Sequence, residues 1–326
     1  MREVYYWQAI QEALIEEMRR DDRVFLFGED IAEYGGAFGV TRGMVKEFGQ
    51  ERVKNTPISE ASIVGVATGA SLLGLRPVVE IMFMDFITLC MDQILNHATK
   101  YRYMYAGQVK VPLVIRTPAG GKRAYGPTHS QSLEAWFMHI PGLIIAVPST
   151  PYDAKGLLKT AIREDNPVLF VEHKLLYSTK GEVPKEEYQL PFGKAVTRCE
   201  GKDVTIVCYS EMVIHALAAA RELKNENIYV EVIDLRTLAP LDIVTVISSV
   251  KKTGKIIIAE EGWKTAGVGA EIAAQIIEHI YDYLEAPIIR VAAKDVHIPS
   301  SELLERLILP GKEEIIDAVK KVMGRV

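Results

Sequence analysis

Pro77-Val-Val-Glu-Ile-Met82, running into Phe83-Met-Asp-Phe86, is the stretch on which the fold class turns. Its apolar residues are continuous rather than alternating, which fits a strand covered on both faces. Val24-Phe-Leu-Phe-Gly28, Val111-Pro-Leu-Val-Ile-Arg116, Leu143-Ile-Ile-Ala-Val147 and Val168-Leu-Phe-Val171 read the same way. Helical patterns over 7–20, 60–73, 86–104 and 151–164 separate them, and strands separated by helices imply parallel βαβ units. After a polar stretch from Lys174 to Lys202, read as the interdomain connection, a smaller α/β set follows. Its strands are expected at Val204–Tyr209, Val230–Asp234, Ile256–Ala259 and Ile288–Val291, with helices through Ala216–Leu223, from Val268 and over Glu313–Val322. The expected fold is α/β, with two doubly wound domains over residues 1–185 and 186–326. The first sheet is expected to be mostly parallel and the second domain smaller.

The 326 residues are 48% hydrophobic and 25% charged, the balance of a globular protein with a substantial core. A net charge of −5 without a basic cluster argues against nucleic acid as a partner. No apolar run approaches the roughly 20 residues that cross a bilayer. Cys90, Cys199 and Cys208 form neither a CxxC pair nor a metal-like spacing with histidine, so they read as core thiols of a reducing compartment. The N-terminus carries neither a secretory signal nor a transit-peptide bias, and a cytoplasmic location without membrane attachment is expected.

Asn55-Thr-Pro-Ile-Ser-Glu60-Ala-Ser62 places one carboxylate at the mouth of a small-residue helix. Ser59 is expected to cap that helix through its hydroxyl, and Glu60 sits at the positive end of the dipole. Gly65 and Gly69, one turn apart, leave a flat helix face for close packing. Beyond the strand ending at Met82, Phe86 and the methionine can form one wall of a flat apolar ring site, since ligands of open α/β sheets lie past the carboxyl ends of the strands. The glycine-rich loop from Ala119 to Gln131 also leaves a strand's carboxyl end. His129 closes it and is placed to shuttle protons or bind an anionic substrate. Ala266-Gly-Val-Gly269 invites a dinucleotide reading, but the third glycine is missing and the gap from the strand is too long. No GxxxxGK[ST] occurs, nor a Gly-Asp-Gly element with a following asparagine, so a diphosphate would have to be held by another chain.

Several segments taken in order carry a resemblance: Phe27-Gly-Glu-Asp30, Thr56-Pro-Ile-Ser-Glu60, Glu80-Ile-Met-Phe-Met-Asp-Phe86, His129-Ser-Gln131, Pro148-Ser-Thr-Pro-Tyr-Asp-Ala-Lys-Gly156, Asp234-Leu-Arg-Thr-Leu238 and Glu260-Glu-Gly-Trp263. Together they resemble the beta subunits of the thiamine-diphosphate-dependent decarboxylating component of 2-oxo acid dehydrogenase complexes, within the transketolase-like superfamily. The resemblance implies a pyrimidine-binding first domain and a transketolase C-terminal-like second domain. Glu60 would hydrogen-bond the pyrimidine nitrogen of thiamine diphosphate, Met82 and Phe86 would pack against the ring, and His129 would serve the substrate carboxylate and transfer to a lipoyl group. Leu113, Ala161, Ile162, Glu164 and Asn166 coincide with a structural potassium site of some members. An alpha subunit would bring the magnesium–diphosphate loop in an α2β2 assembly, and a lipoyl acyltransferase core would dock.

Glu172-His-Lys-Leu-Leu-Tyr177 and Gly107-Gln-Val-Lys-Val-Pro112 lean toward the pyruvate and acetoin types. The alternatives are a branched-chain 2-oxo acid dehydrogenase beta subunit and a non-catalytic assembly subunit. A dinucleotide oxidoreductase is a further rival.

Overall fold

The computed structural model describes residues 1–324, which divide into two units. Unit 1 holds residues 1–119 and 136–192; unit 2 holds 120–135 and 193–326. The chain therefore crosses between units three times. The glycine-rich loop belongs to unit 2, whereas an undivided run of 1–185 assigns it to the first domain. The third crossover lies at 192/193, inside the stretch read as a connection.

Unit 1 contains strands β1 (Val24–Gly28), β2 (Val53–Asn55), β3 (Arg76–Glu80), β4 (Val114–Ala119), β5 (Ile144–Ala146) and β6 (Val168–His173), paired in the order β5-β6-β4-β3-β1-β2. Every pairing in that series is parallel, as the uninterrupted apolar runs require. Helices α1 (Tyr6–Arg20), α2 (Glu60–Leu72) and α3 (Pro151–Arg163) pack around it. Thr150 caps α3 by accepting from the Asp153 amide at 3.1 Å, and Pro151 opens it where no amide hydrogen is needed. Ile10, Leu14 and Met18 repeat at four-residue spacing on α1 and join Leu157, Leu158 and Ile162 of α3 in one core. Each such side chain contributes about 1.5–3 kcal/mol on burial.

The continuous helix expected over 86–104 is absent. Met84–Cys90 winds as tight 3₁₀ turns, Gln93–Ala98 as wide π turns, and only Tyr101–Met104 is α-helical. The buried positions give the reason: Met84, Ile87 and Cys90 recur every three residues, the 3₁₀ period, while Ile94 and Ala98 recur every four. The connection also hides a strand, Lys180–Val183, paired antiparallel with Arg2–Tyr5.

Unit 2 is built on β7 (Val196–Cys199), β8 (Val204–Cys208), β9 (Val230–Asp234), β10 (Ile256–Trp263) and β11 (Ile289–Ala293), in the order β11-β10-β8-β9-β7, with β7 alone antiparallel. Its helices are α4 (Met212–Lys224), α5 (Ile243–Thr253), α6 (Val268–Ile280) and α7 (Lys312–Val322). Helix α5 was not read from the sequence, although its cap Asp242 and its left-handed terminal Gly254 are ordinary boundary signals. Among the described residues no helix is long and apolar enough to cross a membrane.

Candidate functional site

Glu60 is the first residue of α2 and is 6% exposed. The expected serine cap does not form: the Ser59 hydroxyl donates to the Ser62 hydroxyl at 2.8 Å and accepts no helix amide. With no capping side chain, the positive end of α2 faces Glu60 alone. Its carboxylate makes no hydrogen bond or ion pair among the described residues. Burying an acid costs free energy unless something pairs with it. Glu60 also acts on two titratable neighbours. Burial pushes the Glu29 carboxyl up, and the charge of Glu60 adds to that push. The buried Cys90 thiol is pushed up to about 12, by burial first and then by Glu60 and Glu29.

Met82 lies two residues past the carboxyl end of β3 and Phe86 within the 3₁₀ turns, both half-buried. Phe86 packs edge-on against Phe83 with centroids 6.0 Å apart, and Phe83 packs edge-on against Phe38 at 6.0 Å. Phe38 stacks on Tyr177 at 4.8 Å, and the Lys174 ammonium lies 5.2 Å from the Phe83 ring. These contacts fix the aromatic wall by ring geometry rather than by backbone regularity.

Under that wall runs a buried ion network that reading the sequence missed. Arg116 on β4 donates to Glu80 at the end of β3 (2.9 Å) and in two bonds to Glu172 on β6 (2.6 and 2.9 Å). The Tyr177 hydroxyl closes it on Glu172 at 2.6 Å. Gly36, at φ +77°, passes so close that a Cβ would lie 2.7 Å from Glu80 Oε1. Part of the signal was present: Glu80 and Arg116 are charged residues in otherwise apolar runs, and such charges are seldom buried unless paired.

His129 is half-buried and belongs to unit 2, whereas Glu60, Met82 and Phe86 belong to unit 1. Its Nδ1 lies 2.9 Å from the Thr128 hydroxyl, and its amide donates to the Gly126 carbonyl at 3.3 Å. Glu260 accounts for the Gly-Val-Gly sequence of the same unit. Its carboxylate accepts from the Val268 and Gly269 amides at 2.8 Å each, filling the start of α6 where a phosphate would otherwise sit. A Cβ on Gly267 would come within 2.7 Å of those oxygens.

Leu113, Ala161, Ile162, Glu164 and Asn166 gather near the end of α3. Arg76 donates to the carbonyls of Ile162 (2.9 Å) and Glu164 (3.0 Å), Val168 to that of Leu113 (2.8 Å), and Glu164 to that of Ala161 (3.2 Å). The Arg76 guanidinium thus takes up part of the acceptor capacity of the Ile162 and Glu164 carbonyls.

Two family descriptions match the chain. "Transketolase, pyrimidine binding domain" spans residues 2–180 and "Transketolase, C-terminal domain" spans 193–315. A solved structure titled "Split gene transketolase, inactive beta4 tetramer" shares the fold, with a TM-score of 0.81 over 98% of each chain at 24% identity. The class is thus a transketolase-like protein of two α/β domains.

Sequence relatives narrow the class. "Pyruvate dehydrogenase E1 component subunit beta" of Rickettsia felis is 49% identical over 97% of both chains. The Rhizobium meliloti protein of that name is 48% identical over 97% of this chain and 69% of its own length. The mitochondrial one of Dictyostelium discoideum is 43% identical over 99% and 92%. The chain belongs to the family of pyruvate dehydrogenase E1 beta subunits.

Proposed function

We propose that this chain is the catalytic beta subunit of a thiamine-diphosphate-dependent 2-oxo acid dehydrogenase acting on pyruvate. The observation that carries the reading is Glu60, buried at a helix mouth with no hydrogen-bond or ion-pair partner for its carboxylate among the described residues. When bound, thiamine diphosphate would supply the carbon nucleophile that adds to the 2-oxo carbonyl and the electron sink for the pair left as carbon dioxide departs. Glu60 would hold the cofactor's pyrimidine ring nitrogen by a shared proton, which would favour the tautomer that serves as a base. Met82 and Phe86 pack against the ring and keep water from it, with Phe86 braced by Phe83 and Phe38. His129 orients the substrate carboxylate and assists acyl transfer to a lipoyl group.

The diphosphate and its magnesium fall to an alpha subunit, because this sequence has no phosphate-binding loop of its own. An α2β2 assembly served by a lipoyl acyltransferase core follows from that division. Pyruvate is favoured over acetoin and branched-chain acids by the names of the relatives and by the segments around Lys174 and Val109.

The test is co-expression with an alpha-type partner and comparison of rates on pyruvate, acetoin and 3-methyl-2-oxobutanoate. Pyruvate is expected to be the preferred substrate, and Glu60→Ala should lower its turnover by about 10²–10⁴-fold, the range for losing a proton-handling group. A Glu60→Ala pair as fast as the parent would turn the reading toward an assembly subunit without catalytic chemistry.

A further inference from the structure

The loop from Gly120 to Gly126 has an unusual backbone. Lys122 (φ +63°) and Ala124 (φ +55°) both occupy the left-handed region, which non-glycine residues rarely adopt. Such conformations persist where surrounding contacts over-determine them. The contacts here are carboxylates of the same unit. Glu305, fully buried at the end of the single helical turn Glu302–Glu305, accepts from the Lys122 amide with Oε1 (2.8 Å) and from the Ala124 amide with Oε2 (2.9 Å). Glu261 accepts from the Gly121 amide at 2.7 Å. The Lys122 ammonium reaches Glu211 at 3.1 Å and His215 Nε2 at 2.8 Å. Gly121 is confined as well, since a Cβ there would overlap Leu309 and lie 3.1 Å from Glu305 Oε1.

Two amides two residues apart, both bound by one carboxylate, impose a bend on the segment between them. The chain leaves that bend at Ala124 and reaches His129 after the Gly126 turn, where the His129 amide returns to the Gly126 carbonyl. The backbone that leads to His129 therefore starts from a turn held by a carboxylate far along the sequence.

We infer that Glu305 is a positioning residue for His129, its two oxygens fixing the left-handed turn from which the histidine is presented. The inference rests on the reading of His129 as a substrate-contacting group. Glutamine at 305 keeps the size but offers one acceptor oxygen and turns an NH₂ toward the other amide. Aspartate keeps the charge but withdraws both oxygens by one methylene.

The experiment uses the assembled enzyme with its alpha partner and thiamine diphosphate. Hydrogen exchange at the Lys122 and Ala124 amides is measured in Glu305→Gln, together with kcat and KM for pyruvate in the parent and in the His129→Ala background. Faster exchange is expected, along with a kcat about tenfold lower in the parent background and unchanged in the His129→Ala background. That non-additivity is the mark of a residue acting through another.

An equal loss in both backgrounds, or no loss in the parent although His129→Ala is slow, overturns the inference. A His129→Ala enzyme as fast as the parent instead overturns the role of the histidine, and the exchange data then report on the turn alone. Should Glu305→Gln fail to fold, Glu305→Asp goes through the same cycle with the same expectations.

Discussion

Single side chains carry the chemistry, and two acids illustrate opposite uses of burial. Glu60 is left without an internal partner, so its environment is completed only by what binds. Glu60→Gln in the assembled enzyme should abolish most turnover while leaving circular dichroism and melting temperature near the parent's, since no internal contact is removed. Glu134, on unit 2, has the other role. Burial pushes its carboxyl up to about 8, with Glu261 and Glu260 adding their charges. A raised folded-state pKa means the native form binds the proton more tightly than the unfolded chain. The resulting stability is complete below the ordinary carboxylate range, declines as pH climbs, and is gone above about 8. The slope between those limits is at most about 1.4 kcal/mol per pH unit. Urea titrations at several pH values should show Glu134→Gln flattening that slope, and an unchanged slope would assign the pH dependence elsewhere.

At the scale of elements, the ends of β3, β4 and β6 are tied by one guanidinium. Replacing Arg116 with methionine would leave Glu80 and Glu172 facing each other in the interior, and about 3–5 kcal/mol of stability should disappear in chemical denaturation. The oxygens around the end of α3 give a milder test. Equal concentrations of potassium and sodium chloride should yield a melting temperature a few degrees higher in potassium if the cation is bound. How far these elements could be read in advance follows from their physics. Strands such as Val24–Gly28 and Val230–Asp234 declare themselves, because a sheet covered on both faces tolerates little but apolar residues. The segment 84–104 does not, since its turns tighten and widen to suit what Met84, Ile87, Cys90 and Ile94 must bury. The position of Glu60 at a helix start was legible from Pro57-Ile-Ser-Glu60, but a role for it came only from the family resemblance. The Arg116 network and the carboxylates holding Lys122 and Ala124 were not, because they join residues distant in sequence through pairings that no local pattern encodes.

For the molecule as a whole, the outer face of α2 is conspicuous. Val66 is 57% exposed, and Ile58 and Leu73 on either side are 82% and 86% exposed, with Gly69 open beside them. Apolar surface of this kind is commonly reserved for a partner. Val66→Glu should leave the isolated chain folded yet prevent assembly with the alpha partner, giving lower masses by light scattering and little activity despite an intact Glu60. The threefold passage of the chain between units also bears on how it is made. Lys122 and its acceptor Glu305 are separated by 183 residues. At about 5–20 residues per second on the ribosome, the earlier segment waits roughly 10–40 s for its counterpart to be synthesised. Cutting the chain at the 192/193 crossover would thus not release two self-sufficient halves, because the second would lack a piece already made as part of the first.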